Sequence, residues 1–83
     1  MKILYFARFR QIAGRGMEDI EIPVSVKTIG ELVDFLSAGD ERLAAAFAER
    51  RTIRAAIDKN HVAFDAPIAG ATEIAFFPPV TGG

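Results

Sequence analysis

The chain has 83 residues, 51% of them hydrophobic and 25% charged, with a formal net charge of −1. That is enough for one small domain around a single apolar core, and it leaves no strong field toward nucleic acid or a membrane surface. Cysteine is absent, which excludes disulfides, thiolate metal sites and thiol nucleophiles together and fits a cytoplasmic protein.

The first segment, Lys2 to Phe9, is dense in β-branched and aromatic residues on both faces. It reads as a central strand, so no basic-plus-apolar leader is expected there. No apolar run reaches the ~20 residues needed to span a bilayer. Arg10 to Gly16 contains Gly14 and Gly16 and reads as a turn. Within it, Ala13-Gly14-Arg15-Gly16 lacks the lysine-hydroxyl ending of a phosphate loop. Met17 to Ile22 places Ile20 and Ile22 at period two, a half-buried strand that Pro23 ends.

Thr28-Ile29-Gly30-Glu31 has the form of a capping box, and Ile29, Leu32, Val33 and Leu36 then form one helical stripe. Gly39 stands where that helix ends. Asp40 is suited to cap a second, shorter helix running through Arg51, with Leu43 and Phe47 on one face. Ile53 to Asp58 reads as a strand, Lys59-Asn60 as a turn, and Val62 to Phe64 as a short return strand. Glu73 to Phe77 is the last strand, because Pro78 and Pro79 lack the amide donors a ladder needs.

This order predicts an α+β fold: a mixed sheet covered on one face by a main helix and a short second helix. A hairpin, a right-handed helical crossover and a final strand beside the first make a β-grasp, or ubiquitin-like, domain. The domain is expected to occupy residues 1–77, with an extended tail over residues 78–83.

Side chains fit for catalysis are few. His61 is the only histidine and reads as a residue beside a hairpin turn. A metal site lacks the clustered histidines and cysteines it would need, and neither Ser25 nor Ser37 sits in a nucleophile motif. Arg8, Arg10, Arg50 and Arg51 offer a basic edge for docking. Of Phe76 and Phe77, period-two alternation sends one ring into the core and the other to the opposite face, without fixing which.

The C-terminal run concentrates the remaining interest. Pro78 and Pro79 favour an extended tail that stands off the domain. The six residues from Pro78 to Gly83, at ~3.3–3.6 Å each, reach roughly 20 Å. Bulk tapers from Phe77 through Val80 and Thr81 to Gly82-Gly83, a thread that a narrow channel can admit while holding Val80 in an apolar notch. A terminal carboxylate is ionised at neutral pH and is a poor electrophile. It therefore needs activation, and an acyl-adenylate made by an ATP-using partner is the expected route. Glycine leaves that acyl group unhindered.

Phe76-Phe77-Pro78-Pro79-Val80-Thr81-Gly82-Gly83, preceded by Glu73-Ile74-Ala75, resembles the ending of the small, sulfur-carrier subunit family of molybdopterin synthase. Tyr5 through Gly14 and Thr28 through Leu36 resemble the same family's first strand and turn and its capped helix. The resemblance implies that Gly83 is adenylated by an E1-like adenylating enzyme and converted to a thiocarboxylate by a sulfurtransferase or cysteine desulfurase system. The tail, from Phe76 to Gly82, would bind the large synthase subunit in a heterotetramer, where sulfur passes to cyclic pyranopterin monophosphate to build the molybdopterin dithiolene. It implies no permanently bound cofactor, only AMP or a thiocarboxylate at Gly83 as intermediates, with catalytic side chains mainly on the large subunit and neither nucleic acid nor membrane as partner. Two loops depart from the pattern. Asp58-Lys59-Asn60 replaces an Asn followed by a Gln-Glu-like pair, and Gly70-Ala71-Thr72 replaces an Asp-Gly-Asp-like turn. Competing readings are a carrier for thiamine or tRNA thiolation, and a ubiquitin-like modifier or docking module.

Overall fold

Pairing of the first and last strands organises the fold. The computed structural model describes residues 1–79. Among them it contains β1 (Lys2–Tyr5), α1 (Arg8–Ala13), β2 (Met17–Asp19), α2 (Ile29–Gly39), α3 (Glu41–Ala46), a 3-10 turn (Arg50–Thr52), β3 (Arg54–Ile57), β4 (Asn60–Val62) and β5 (Glu73–Phe77). The five strands lie in the order β2-β1-β5-β3-β4. β1 and β5 run parallel, with Lys2 opposite Glu73 and Tyr5 opposite Phe76. β5 pairs antiparallel with β3, and β2 and β4 add antiparallel at the edges. This is the mixed sheet of the β-grasp fold.

α2 forms where the sequence places it. The Glu31 amide donates to the Thr28 hydroxyl, and the Thr28 amide donates back to the Glu31 carboxylate, both at 3.2 Å. Ile29, Leu32, Val33 and Leu36 are all buried. Their stripe meets Ile3, Tyr5, Ile74 and Phe76 from the sheet in one core. The core has an aromatic centre: Phe47 packs on Phe9 at 5.4 Å and on Phe76 at 5.1 Å between ring centroids.

Four expectations change. The second strand, expected over Met17 to Ile22, ends at Asp19, and Ile20 and Ile22 pack against the core from the chain that follows it. The first strand ends at Tyr5, and the segment expected as a turn winds into α1. That helix buries Phe9 and Ala13 and closes on Gly14, at φ 77°, a left-handed position glycine adopts without strain. Its start is unusual: Ala7 has φ 53° and supplies no side-chain cap. The helix is held instead from within the fold, where Arg8 donates to the carbonyls of Ala46 and Thr52 at 3.1 and 2.9 Å. The second helix is shorter than expected. Asp40 does cap it by accepting from the Arg42 amide at 2.8 Å, but α3 stops at Ala46 and the chain re-forms a 3-10 turn only at Arg50. The β3–β4 turn falls on Asp58-Lys59 rather than Lys59-Asn60. Both residues have positive φ, 48° and 74°, as a two-residue hairpin turn requires, and β4 covers Asn60–Val62 instead of residues 62–64.

The loops at residues 58–60 and 70–72 meet each other. The Asp58 carboxylate accepts from the Thr72 and Glu73 amides at 3.0 and 2.9 Å. It thereby pins the hairpin to the start of β5.

Candidate functional site

β5 lies between β1 and β3, so the segment it launches leaves from the middle of the sheet. Alternation along it is clean. Ile74 and Phe76 are fully buried on the helix side, while Ala75 and Phe77 turn to the other face. The structure thus decides between the two phenylalanines. Phe76 anchors β5 in the core and has no surface to offer a partner. Phe77 is half-exposed and packs on the His61 ring at 5.0 Å.

The sheet face opposite the helices carries an apolar row beside that ring, while exposed Arg54 stands directly opposite Phe77 on β3. Cross-strand register sets Met17, Leu4, Ala75 and Ala56 side by side, and His61 completes the row on β4. Met17 is 55% exposed. Phe6, just after β1, is 47% exposed, and its amide donates to the Phe76 carbonyl at 3.0 Å, which extends the β1–β5 pairing to the end of the strand. Pro78 and Pro79 follow, both half-exposed. Val80, Thr81, Gly82 and Gly83, the other tail residues singled out in the sequence, lie outside the described residues.

The expected basic edge is reduced. Arg8 is committed to Ala46 and Thr52, and Arg50 pairs with Asp34 and lies over the Phe64 ring. Arg10 and Arg51 remain exposed. Among the described residues, no group of three or more His, Asp or Glu side chains is placed to hold a metal ion. No helix there is long and apolar enough to cross a membrane.

A polar cluster that sequence reasoning missed lies on the helix side of β2. The Tyr5 hydroxyl donates to the Glu18 carboxylate at 2.5 Å. Arg15 donates to Glu18 at 2.9 Å and to Asp40 at 3.1 Å, and so ties β2 to the cap of α3. Burial, reinforced by the Glu18 carboxylate, pushes the Tyr5 phenol well above its ordinary range. The Arg42 amide, with help from Arg15, holds the Asp40 carboxyl below the usual carboxylate range. Only the tertiary fold brings these residues together, so no local pattern announced them.

What this geometry offers is a rigid platform under an emerging segment: a central strand, an apolar face beside its end, and a proline pair that cannot extend the ladder. The model of the ThiS family matches residues 3–83. The chain belongs to the ThiS family. It is 35% identical to the molybdopterin synthase sulfur carrier subunit of Escherichia coli (strain K12), an alignment covering all of this chain and 99% of that protein. It is 31% identical to the protein of the same name from Mycosarcoma maydis, over all of this chain and 92% of that one. Among solved structures, SAMP1 from Haloferax volcanii superposes with a TM-score of 0.75 at 23% identity, covering 99% of this chain and 97% of that one. That likeness concerns the fold and agrees with the ubiquitin-like architecture. Within this ThiS-family chain, the matched region includes Gly82 and Gly83.

Proposed function

We propose that this ThiS-family chain is the sulfur-donating subunit of a molybdopterin synthase. Gly83 is its reactive residue. The Gly83 carboxylate attacks the α-phosphorus of ATP on an E1-like enzyme, releasing pyrophosphate and forming an acyl-adenylate, and sulfur supplied by a sulfurtransferase or cysteine desulfurase system then displaces AMP from the acyl carbon. The resulting thiocarboxylate enters the large subunit and gives its sulfur to cyclic pyranopterin monophosphate. Two deliveries complete the dithiolene. The segment from Phe77 to Gly82 guides that entry, with Val80 as its apolar anchor, and a dimer of large subunits carries one such chain at each end. Catalytic side chains lie mainly on the large subunit.

The observation that carries this reading is similarity over the whole chain, Gly82-Gly83 included, to proteins named as sulfur carrier subunits. The platform beneath β5 supports it, since a carrier needs a firm handle and a thin reactive end. Coexpression with the adenylating and sulfurating enzymes, followed by intact-mass analysis, tests it. The expected product shows exchange of one oxygen for sulfur, and a chain lacking Gly83 shows none. An unmodified terminus, or conjugates to lysine side chains, would overturn the carrier reading.

A further inference from the structure

β2 is an edge strand, with β1 on one side and no strand on the other among the described residues. Its neighbours in the chain turn their peptide groups toward β1. The Gly16 carbonyl accepts from the Tyr5 amide at 2.9 Å, and the Ile20 amide donates to the Met1 carbonyl at 3.0 Å. Alternation therefore turns the peptide groups of Met17 and Asp19 outward. Among the described residues no strand lies on that side to meet them. Free strand edges of this kind are templates for a further strand.

A groove of about 580 Å³ runs along this edge, between β2 and α2. Its floor is apolar, formed by Ile20, Phe35 and Leu36, and Phe35 is 36% exposed. Its rim is acidic. Glu18, Glu21 and Asp40 line it against one cation, Arg15, which already serves Glu18 and Asp40.

We propose that this edge and groove receive an extended segment of a partner protein, apolar at alternate positions and basic at its flanks, which adds to β2 as an outer strand. Main-chain bonds to Met17 and Asp19 would supply the register, and every second side chain would drop onto the Phe35 floor. The excess of carboxylates selects the basic flanks. The same charge argues against a second copy of this chain as the occupant. Antiparallel pairing of β2 with itself would set Glu18 against Glu18 or Asp19 against Asp19, according to register, and like charges across strands repel. β1 separates β2 from β5, so this surface is independent of any role for Gly83.

The test is NMR titration of the isotope-labelled full chain with a synthetic peptide of alternating valine and threonine flanked by lysines, and with its glutamate-flanked counterpart. The expected result is saturable shifts confined to Met17–Glu21 and Phe35–Gly39, with the lysine-flanked peptide binding at least about threefold tighter. Glu21→Lys, an exposed change that leaves the core untouched, balances the rim at two carboxylates and two cations and should abolish that preference, and Phe35→Ala should abolish binding in a chain with native spectral dispersion. Shifts centred instead on Phe77 and His61, equal affinity for the two peptides, no saturable shift, or self-association through β2 without peptide would each overturn the proposal.

Discussion

Tyr5 sits under the sheet with its ring buried and its hydroxyl bonded to Glu18. Its folded-state pKa is raised above the unfolded value of ~10. The sign follows by linkage: as pH climbs past ~10 the unfolded chain loses this proton first, so stability is complete below that point and falls above it. The urea midpoint should therefore drop between about pH 10 and pH 11.5, and Tyr5→Phe should remove much of that slope while costing some stability at neutral pH. An identical alkaline slope in Tyr5→Phe would exclude Tyr5 as its source. Individual residues were legible to very different degrees. Alternation predicted that one of Phe76 and Phe77 would be buried and the other turned outward, but naming Phe76 as the buried one needed the register against β1 and β3. Asp58 looked like a departure in a loop, and its bonds to Thr72 and Glu73 are visible only once the hairpin lies beside β5.

At the scale of elements, α2 was readable in full because each of its signals is local. Thr28 and Glu31 are three residues apart, and the buried stripe repeats with the helical period. Thr28→Ala should cost about 1 kcal/mol in denaturant unfolding, and Thr28→Ser should recover most of it. A loss below a few tenths would mean that the bridge between Thr28 and Pro67, rather than the cap, secures this end. α1 was not readable as a helix. It has six residues, no capping side chain, and an entry through Ala7 at positive φ, so no cap marked its start, and Gly14 and Gly16 pointed to a turn. Its one local sign was the spacing of Phe9 and Ala13, followed by Gly14 as a helix stop. α3 lost its expected second half because the polar run after Phe47 buries nothing until Ile53.

For the whole molecule, five strands and a capped crossover helix were legible because the apolar periods switch between two and helical spacing at turn residues. The β-grasp architecture followed from that order and agrees with the superposition on SAMP1. The C-terminal run could be singled out for a different reason: its residues are consecutive. Phe76 through Gly83 can be read without knowing the fold, whereas the apolar face beside Phe77 draws on four strands. In the carrier account the globule holds the tail and the large subunit encloses it. Val80→Asp should then weaken binding to the large subunit by at least about tenfold, since it places an unpaired charge in an apolar notch, with no change in the melting temperature of the free chain. Unchanged affinity by calorimetry would exclude insertion of the tail at Val80.

Sulfur donation by this chain requires the terminal carboxyl group of Gly83. Semisynthesis can supply the chain in two forms, ending in a thiocarboxylate or in an amide, for assay with purified large subunit and cyclic pyranopterin monophosphate. The thiocarboxylate form should yield dithiolene product with loss of its sulfur, and the amide form should yield none although it folds identically. Product formed at the same rate from the amidated chain would contradict the claim.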